Sequence, residues 1–179
     1  MINIIKYYIE KRMRICSTVR FWEKKGAKIG GGCSIHPSAS LGSEPYLIEI
    51  GNHVRLNSGV NLVTHDGGMW VLRELHSEMK DADLFGEIKI GDNVHIGTNA
   101  MIMPNVYVGN NCIIGSCAVV TKSVPDNCVV AGVPARVIET LDDYRKKHVN
   151  NVLYTKNKKE EEKKEIVIKY FESGGKGKD

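Results

Sequence analysis

The sequence predicts a parallel β-helix, a solenoid of very short strands joined by corners, and three observations lead there. Residues 90–125 divide into six blocks: IGDNVH, IGTNAM, IMPNVY, VGNNCI, IGSCAV and VTKSVP. The first residue of each block is aliphatic (Ile90, Ile96, Ile102, Val108, Ile114, Val120), and the fifth is a smaller apolar one (Val94, Ala100, Val106, Cys112, Ala118, Val124). Val, Ile and Leu are 45 of the 179 residues, so six aliphatics at a preset spacing would arise by chance roughly once in four thousand trials. Finally, glycine and asparagine recur at fixed places: Gly91, Gly97, Gly109 and Gly115 after the inward residue, and Asn93, Asn99, Asn105 and Asn111 further on. Both residue types tolerate backbone conformations that a corner demands. A period of six fits neither a helix nor a hairpin sheet, whereas stacked turns require it.

Taken in order, residues 2–25 read as an amphipathic helix with Ile5, Ile9, Met13, Cys16, Val19 and Phe21 on its apolar side. The simpler expectation is a cap on the solenoid. A second one rests this basic helix on an anionic membrane surface, because residues 1–28 hold eight Lys or Arg against two Glu. The repeat begins as IGGGCS IHPSAS LGSEPY (29–46), slips by three residues at Leu47–Glu49, and resumes as IGNHVR LNSGVN LVTHDG (50–67). The inward slot is then Ile29, Ile35, Leu41, Ile50, Leu56 and Leu62. A long excursion, residues 66–87, follows. Trp70, Val71, Leu72, Leu75, Leu84 and Phe85 make it too apolar for disorder, so an ordered loop packing against a neighbouring subunit is expected. Beyond Val124 the chain is expected to leave the repeat through Pro125 and Pro134. Residues 139–149 read as a helix, and the Lys/Glu-rich remainder as a mobile or loosely helical tail whose last six residues are disordered. Three regions result: 1–28, the solenoid 29–138, and 139–179.

A formal charge of +4 is too mild to argue for nucleic acid. Five cysteines without a C-x-x-C pair suit a reducing cytosol. No apolar run reaches the roughly 20 residues of a membrane span, and Lys6, Glu10, Lys11 and Arg12 interrupt any secretion signal.

Four stretches carry a family resemblance: GSEPYLIEIG (42–51), THDGG (64–68), IGDNVHIG (90–97) and VVTKSVPDNCVVAGVPAR (119–136). With them the chain resembles the hexapeptide-repeat acyltransferases, above all the sugar O-acetyltransferases of the galactoside and maltose type and their relatives in capsule and O-antigen synthesis. The resemblance implies an all-β, left-handed coil, a hand that the general rule for parallel crossovers would reverse. It implies a homotrimer with active sites between subunits, acetyl-CoA as donor, and a cytoplasmic enzyme. His65 is then the general base, for a sugar hydroxyl is a poor nucleophile and an imidazole can take its proton. A backbone N–H from the adjacent coil is the expected oxyanion donor. Thr98, Ser116, Thr121, Lys122 and Arg136 match the family's coenzyme positions, and the two cations suit phosphate. Glu44, Asn57, Asp66, Trp70, Arg73 and His95 are the acceptor candidates, His95 standing where relatives often carry tryptophan. No metal ligand set is expected.

Other acceptors (serine, an antibiotic, an amino sugar) share much of this signature. Two rivals use the same fold: a γ-carbonic-anhydrase-like zinc enzyme, which needs closely spaced histidines, and a non-catalytic trimeric scaffold, against which the T-K and A-G-V-P-A-R motifs argue.

Overall fold

Each inward aliphatic residue of the repeat stacks on its counterpart one coil away, and this vertical register builds the molecule. The computed structural model describes residues 17–175, which form two compact units divided after Leu141. The first unit holds a three-sided prism. Face A carries β1 (Lys28–Ile29), β3 (Ile48–Ile50), β6 (Ile88–Ile90) and β9 (Tyr107–Val108). Face B carries β2 (Ser34–Ile35), β4 (Arg55–Leu56), β7 (His95–Ile96), β10 (Ile113–Ile114) and β12 (Cys128–Gly132), with β13 (Ala135–Thr140) at its edge. Face C carries β5 (Asn61–Leu62), β8 (Met101–Ile102) and β11 (Val119–Val120). All pairings are parallel except β12 with β13.

The register aligns Ile29, Ile50, Ile90 and Val108 on face A. Ile35, Leu56, Ile96, Ile114 and Val130 align on face B, and Leu62, Ile102 and Val120 on face C. Eleven of the twelve expected inward aliphatics are buried; Ile29, on the first coil, is half-buried. The small slot is buried from Ala39 to Val124, except where Asp66 opens the excursion.

Corners are held by polar ladders. His53, Asn93, Asn111 and Asn127 all have φ near +55 to +60°. Their side chains join coil to coil: His53 Nδ1 to Asn93 Oδ1 at 2.8 Å, then Asn93 Nδ2 donating to Asn111 Oδ1 and Asn111 Nδ2 to Asn127 Oδ1. Asparagine therefore does double duty, tolerating the left-handed corner and satisfying its neighbour. The glycines differ from expectation. Gly91, Gly97, Gly109 and Gly115 are not left-handed; they are small because the next coil passes close by. A Cβ on Gly97 would lie 2.6 Å from the Ser116 nitrogen.

At the amino end α1 (Thr18–Lys24) sets Phe21 and Trp22 into the core cluster of the prism. Ile5, Ile9, Met13 and Cys16 lie outside the described residues. At the other end the chain does not leave the stack at Pro125. Val124 bridges Val108, β12 pairs with β10, and the chain then folds back as β13. The described helices, including α2 (Met69–Leu75) in the excursion, mean that the chain is not all-β. The second unit contains α3, beginning at the boundary (Leu141–His148), and α4 (Glu160–Glu172). The tail expected to be loosely helical is thus a regular helix over those residues, opened by Glu160, Glu161 and Glu162 at its amino end.

The ladder predicts a graded response at Asn111. Asn111→Ala loses two side-chain hydrogen bonds and gains left-handed strain, destabilising the prism by roughly 2–4 kcal/mol. Asn111→Gly keeps the backbone relaxed and recovers about 1 kcal/mol of that loss in denaturant unfolding. A glycine variant no more stable than the alanine one would contradict the strain at this corner.

Candidate active site

Both interruptions of the repeat fall at one edge of the prism, between face C and face A, on successive coils. The first is a 3₁₀ turn over Pro45–Leu47, preceded by Glu44. The second is the excursion, which leaves after β5 and returns at β6. Its neck is a short antiparallel ladder: the Asp66 N–H donates to Leu84 O at 2.9 Å, the Gly86 N–H to Thr64 O at 2.8 Å, and His65 bridges Phe85. His65 is thereby fixed by its backbone on both sides.

Its side chain is fixed as well. Nδ1 lies 3.1 Å from Glu44 Oε2, and the same oxygen accepts the Thr64 hydroxyl at 2.6 Å. Thr64 is fully buried. The imidazole is 46% exposed while the Glu44 side chain is only 14% exposed, so the ring is open to a ligand and its carboxylate is largely covered. The Thr64 hydroxyl, and after it His65, hold the Glu44 carboxyl below its ordinary range against the opposing effect of burial; it is ionised at neutral pH. Gly42, at φ +66°, makes room, since a Cβ there would lie 2.7 Å from Thr64 Oγ1.

The excursion is ordered internally. Asp66 Oδ1 accepts the Gly68 N–H at 2.8 Å. Arg73 donates through Nε to Ala82 O at 2.7 Å and pairs with Asp83. Met69 is buried, whereas Trp70, Val71, Leu75, Leu84 and Phe85 are exposed. Of the acceptor candidates, Glu44, Asp66, Trp70 and Arg73 thus gather on or beside this edge.

The others stand elsewhere. Asn57, Thr98 and Ser116 stack along a different edge, between face B and face C, where the Cys117 N–H donates to Thr98 O. His95 lies on face B, in register with Arg55 and Ile113. Burial first, and the Arg55 charge second, push its imidazole below the ordinary value, so it is neutral at pH 7. Thr121 and Lys122 follow β11 and return to the edge of His65 on the last coil. Lys122 and Arg136 line one cleft of about 210 Å³ together with Ser123 and Ala135, and the Arg136 guanidinium also donates to Ala135 O. Among the described residues, no group of three or more His, Cys, Asp or Glu is placed to hold a metal ion.

Comparison with known proteins bears on this arrangement. The family model described as bacterial transferase hexapeptide (six repeats) matches residues 87–122. Protein CapG of Staphylococcus aureus is 45% identical over 151 residues, covering 83% of this chain and 86% of the relative. The chain belongs to the bacterial hexapeptide-repeat transferases. It is therefore an acyltransferase. Galactoside O-acetyltransferase of Escherichia coli is 37% identical over 107 residues, 59% of this chain and 49% of that protein, so the match spans about half of the latter's length. Among solved structures, a Vibrio cholerae hexapeptide-repeat acetyltransferase complexed with acetyl-CoA is similar at a TM-score of 0.57 and 26% identity, covering 65% of this chain and 61% of that one.

Sequence reasoning did not single out Thr64 as more than a motif residue. Its signal was present: a threonine buried beside a histidine at a break in an apolar repeat needs a polar partner.

The Arg73 strut should matter locally. Arg73→Met is expected to speed amide exchange at residues 66–84 about tenfold, the loss of its bond to Ala82 O and its exposed pair with Asp83 together costing about 1.5 kcal/mol. Unfolding of the prism should shift by less than about 0.5 kcal/mol. Unchanged exchange in the excursion would remove Arg73 as its strut.

Proposed function

We propose that this enzyme transfers an acetyl group from acetyl-CoA to a hydroxyl of a saccharide acceptor in surface polysaccharide synthesis, with His65 as general base. The observation that carries this reading is the exposed imidazole of His65, anchored by an ionised carboxylate at the edge that also bears Thr121 and Lys122. Acetyl-CoA is a substrate here, supplying the acetyl group as an activated thioester. Lys122 and Arg136 supply cations in one cleft suited to its phosphates. His65 takes the proton of the acceptor hydroxyl as its oxygen attacks the thioester carbonyl. A backbone N–H of the neighbouring coil stabilises the tetrahedral oxyanion. The carbon–sulfur bond then breaks, the imidazolium returns its proton to the departing thiolate, and an O-acetyl ester and free coenzyme A result.

The residues matching the coenzyme and acceptor positions divide between two edges of the prism, and one prism cannot bring its own edges together. A neighbouring copy packed side by side can. This supports a homotrimer in which Thr98 and Ser116 of one subunit face His65 of the next, with the exposed apolar side chains of the excursion covered by that neighbour. The left hand of the coil is inferred from the similar acetyltransferases. Among the described residues no helix is long and apolar enough to cross a membrane; a cytoplasmic location is inferred from the chemistry of the donor, with membrane contact of the amino-terminal segment an accessory to it.

The reading is tested by supplying acetyl-CoA and a panel of saccharide acceptors and following free thiol. His65→Ala should lower kcat by about 10²–10⁴-fold without altering unfolding. Lys122→Ala and Arg136→Ala should each raise KM for acetyl-CoA about tenfold, the value of one phosphate contact, with kcat little changed. Near-normal turnover in His65→Ala would remove the assigned base. Serine as a better acceptor than any sugar would redirect the substrate class.

A further inference from the structure

The reading of Glu44 as a group that binds the acceptor sits poorly with its surroundings. Its side chain is 14% exposed, and one of its oxygens already accepts two hydrogen bonds from the protein, from the buried Thr64 hydroxyl at 2.6 Å and from His65 at 3.1 Å. A carboxylate engaged in this way is a poor ligand for a sugar. It is a good anchor for an imidazole.

We propose that Glu44, clamped by Thr64, is the positioning residue that sets the tautomer of His65, placing the ring proton on Nδ1 and leaving the Nε2 lone pair free. An ionised carboxylate can only accept, so the His65 nitrogen beside it must donate. The clamp decides the direction. The Thr64 hydroxyl has the carboxylate oxygen as its acceptor, and its 2.6 Å length is that of an O–H bond to a charged oxygen. With Thr64 donating, Glu44 holds its charge; with Glu44 charged, Nδ1 keeps its proton.

The sequence elements that build the clamp have no part in the coil itself. The three extra residues are taken up by the 3₁₀ turn over Pro45–Leu47 that follows Glu44, and Ile48 and Glu49 already belong to β3. Gly42 is left-handed and leaves the space that Thr64 Oγ1 fills. The neck of the excursion holds His65 opposite Phe85 through the backbone bonds on either side of it, from Gly86 N–H to Thr64 O and from Asp66 N–H to Leu84 O. Two irregularities 20 and 21 residues apart in sequence thus converge on one oxygen atom.

This inference rests on His65 being the base, and the test separates the two. Glu44→Gln is nearly isosteric. Both bonds go to one oxygen, so its amide oxygen can accept from Thr64 and from His65 alike and keep the proton on Nδ1; Glu44→Leu removes the acceptor and releases the ring to the Nε2–H form. Nitrogen-15 chemical shifts of the histidines in the full-length protein, with His65→Ala identifying the signal, report the tautomer without any turnover. The wild type and Glu44→Gln are expected to show the Nδ1–H form and Glu44→Leu the Nε2–H form, with kcat of Glu44→Leu lowered by about 10³–10⁴-fold and acceptor KM changed less than about threefold. Thr64→Val should shift the same signal partway and lower kcat about tenfold, and Thr64→Ser should restore both. A Glu44→Leu enzyme that raises acceptor KM while keeping kcat and tautomer would return Glu44 to the acceptor site and overturn the proposal. An unchanged tautomer with unchanged turnover would overturn it too. If His65→Ala is active while the tautomer still follows Glu44, the positioning holds and the assignment of the base fails.

Discussion

The vertical stacking of aliphatic side chains inside the prism constrains everything else. Leu62, Ile102 and Val120 lie directly above one another, as do the columns on the other two faces, and all but Ile29 on the first coil are withdrawn from water. A fully buried Leu or Ile contributes about 1.5–3 kcal/mol, so slipping a coil by one residue would expose a whole column. Extra residues can therefore enter only at corners and must return in register. That is why a turn of three residues and an excursion of about twenty leave the core untouched: Ile48 and Ile88 come back to the same pairing on face A.

This constraint turns insertions into a candidate site. Since both leave at the same edge one coil apart, the residues at their bases meet: Glu44 from the first, Thr64 and His65 from the second. A rigid solenoid supplies the fixed distances; the insertions supply chemistry the repeat cannot. The same logic places Lys122 along that edge two coils further on, about 10 Å away at the usual strand spacing. A donor lying along the edge between them would put one end near cations and the other near the imidazole.

Much of this was legible in the sequence because the period of six is a direct image of the geometry. The inward column, the small slot, the left-handed asparagines and the excursion all follow from it. The glycines were misread in their cause: Gly97 and Gly91 are required by the approach of the next coil rather than by φ, and crowding from another coil is invisible in a local pattern. The last strand was missed because Pro125 breaks the spacing, yet Val124 and Val130 continue the columns by shortening the turn. Glu44 was legible as a residue at a break but its partner was not, since contacts between insertions depend on where each returns. The edge on which Asn57, Thr98 and Ser116 stand is set by counting blocks, and only the built prism shows that it is a different edge from that of His65.

The most direct test of the central claim is a structure of the protein bound to coenzyme A and a saccharide acceptor. The account predicts the sulfur and one acceptor hydroxyl within about 4 Å of the His65 imidazole. The phosphates should lie along the edge toward Lys122, and Thr98 and Ser116 should come from a neighbouring copy. Coenzyme A bound at an edge remote from His65, or a complete site within one subunit, would contradict it.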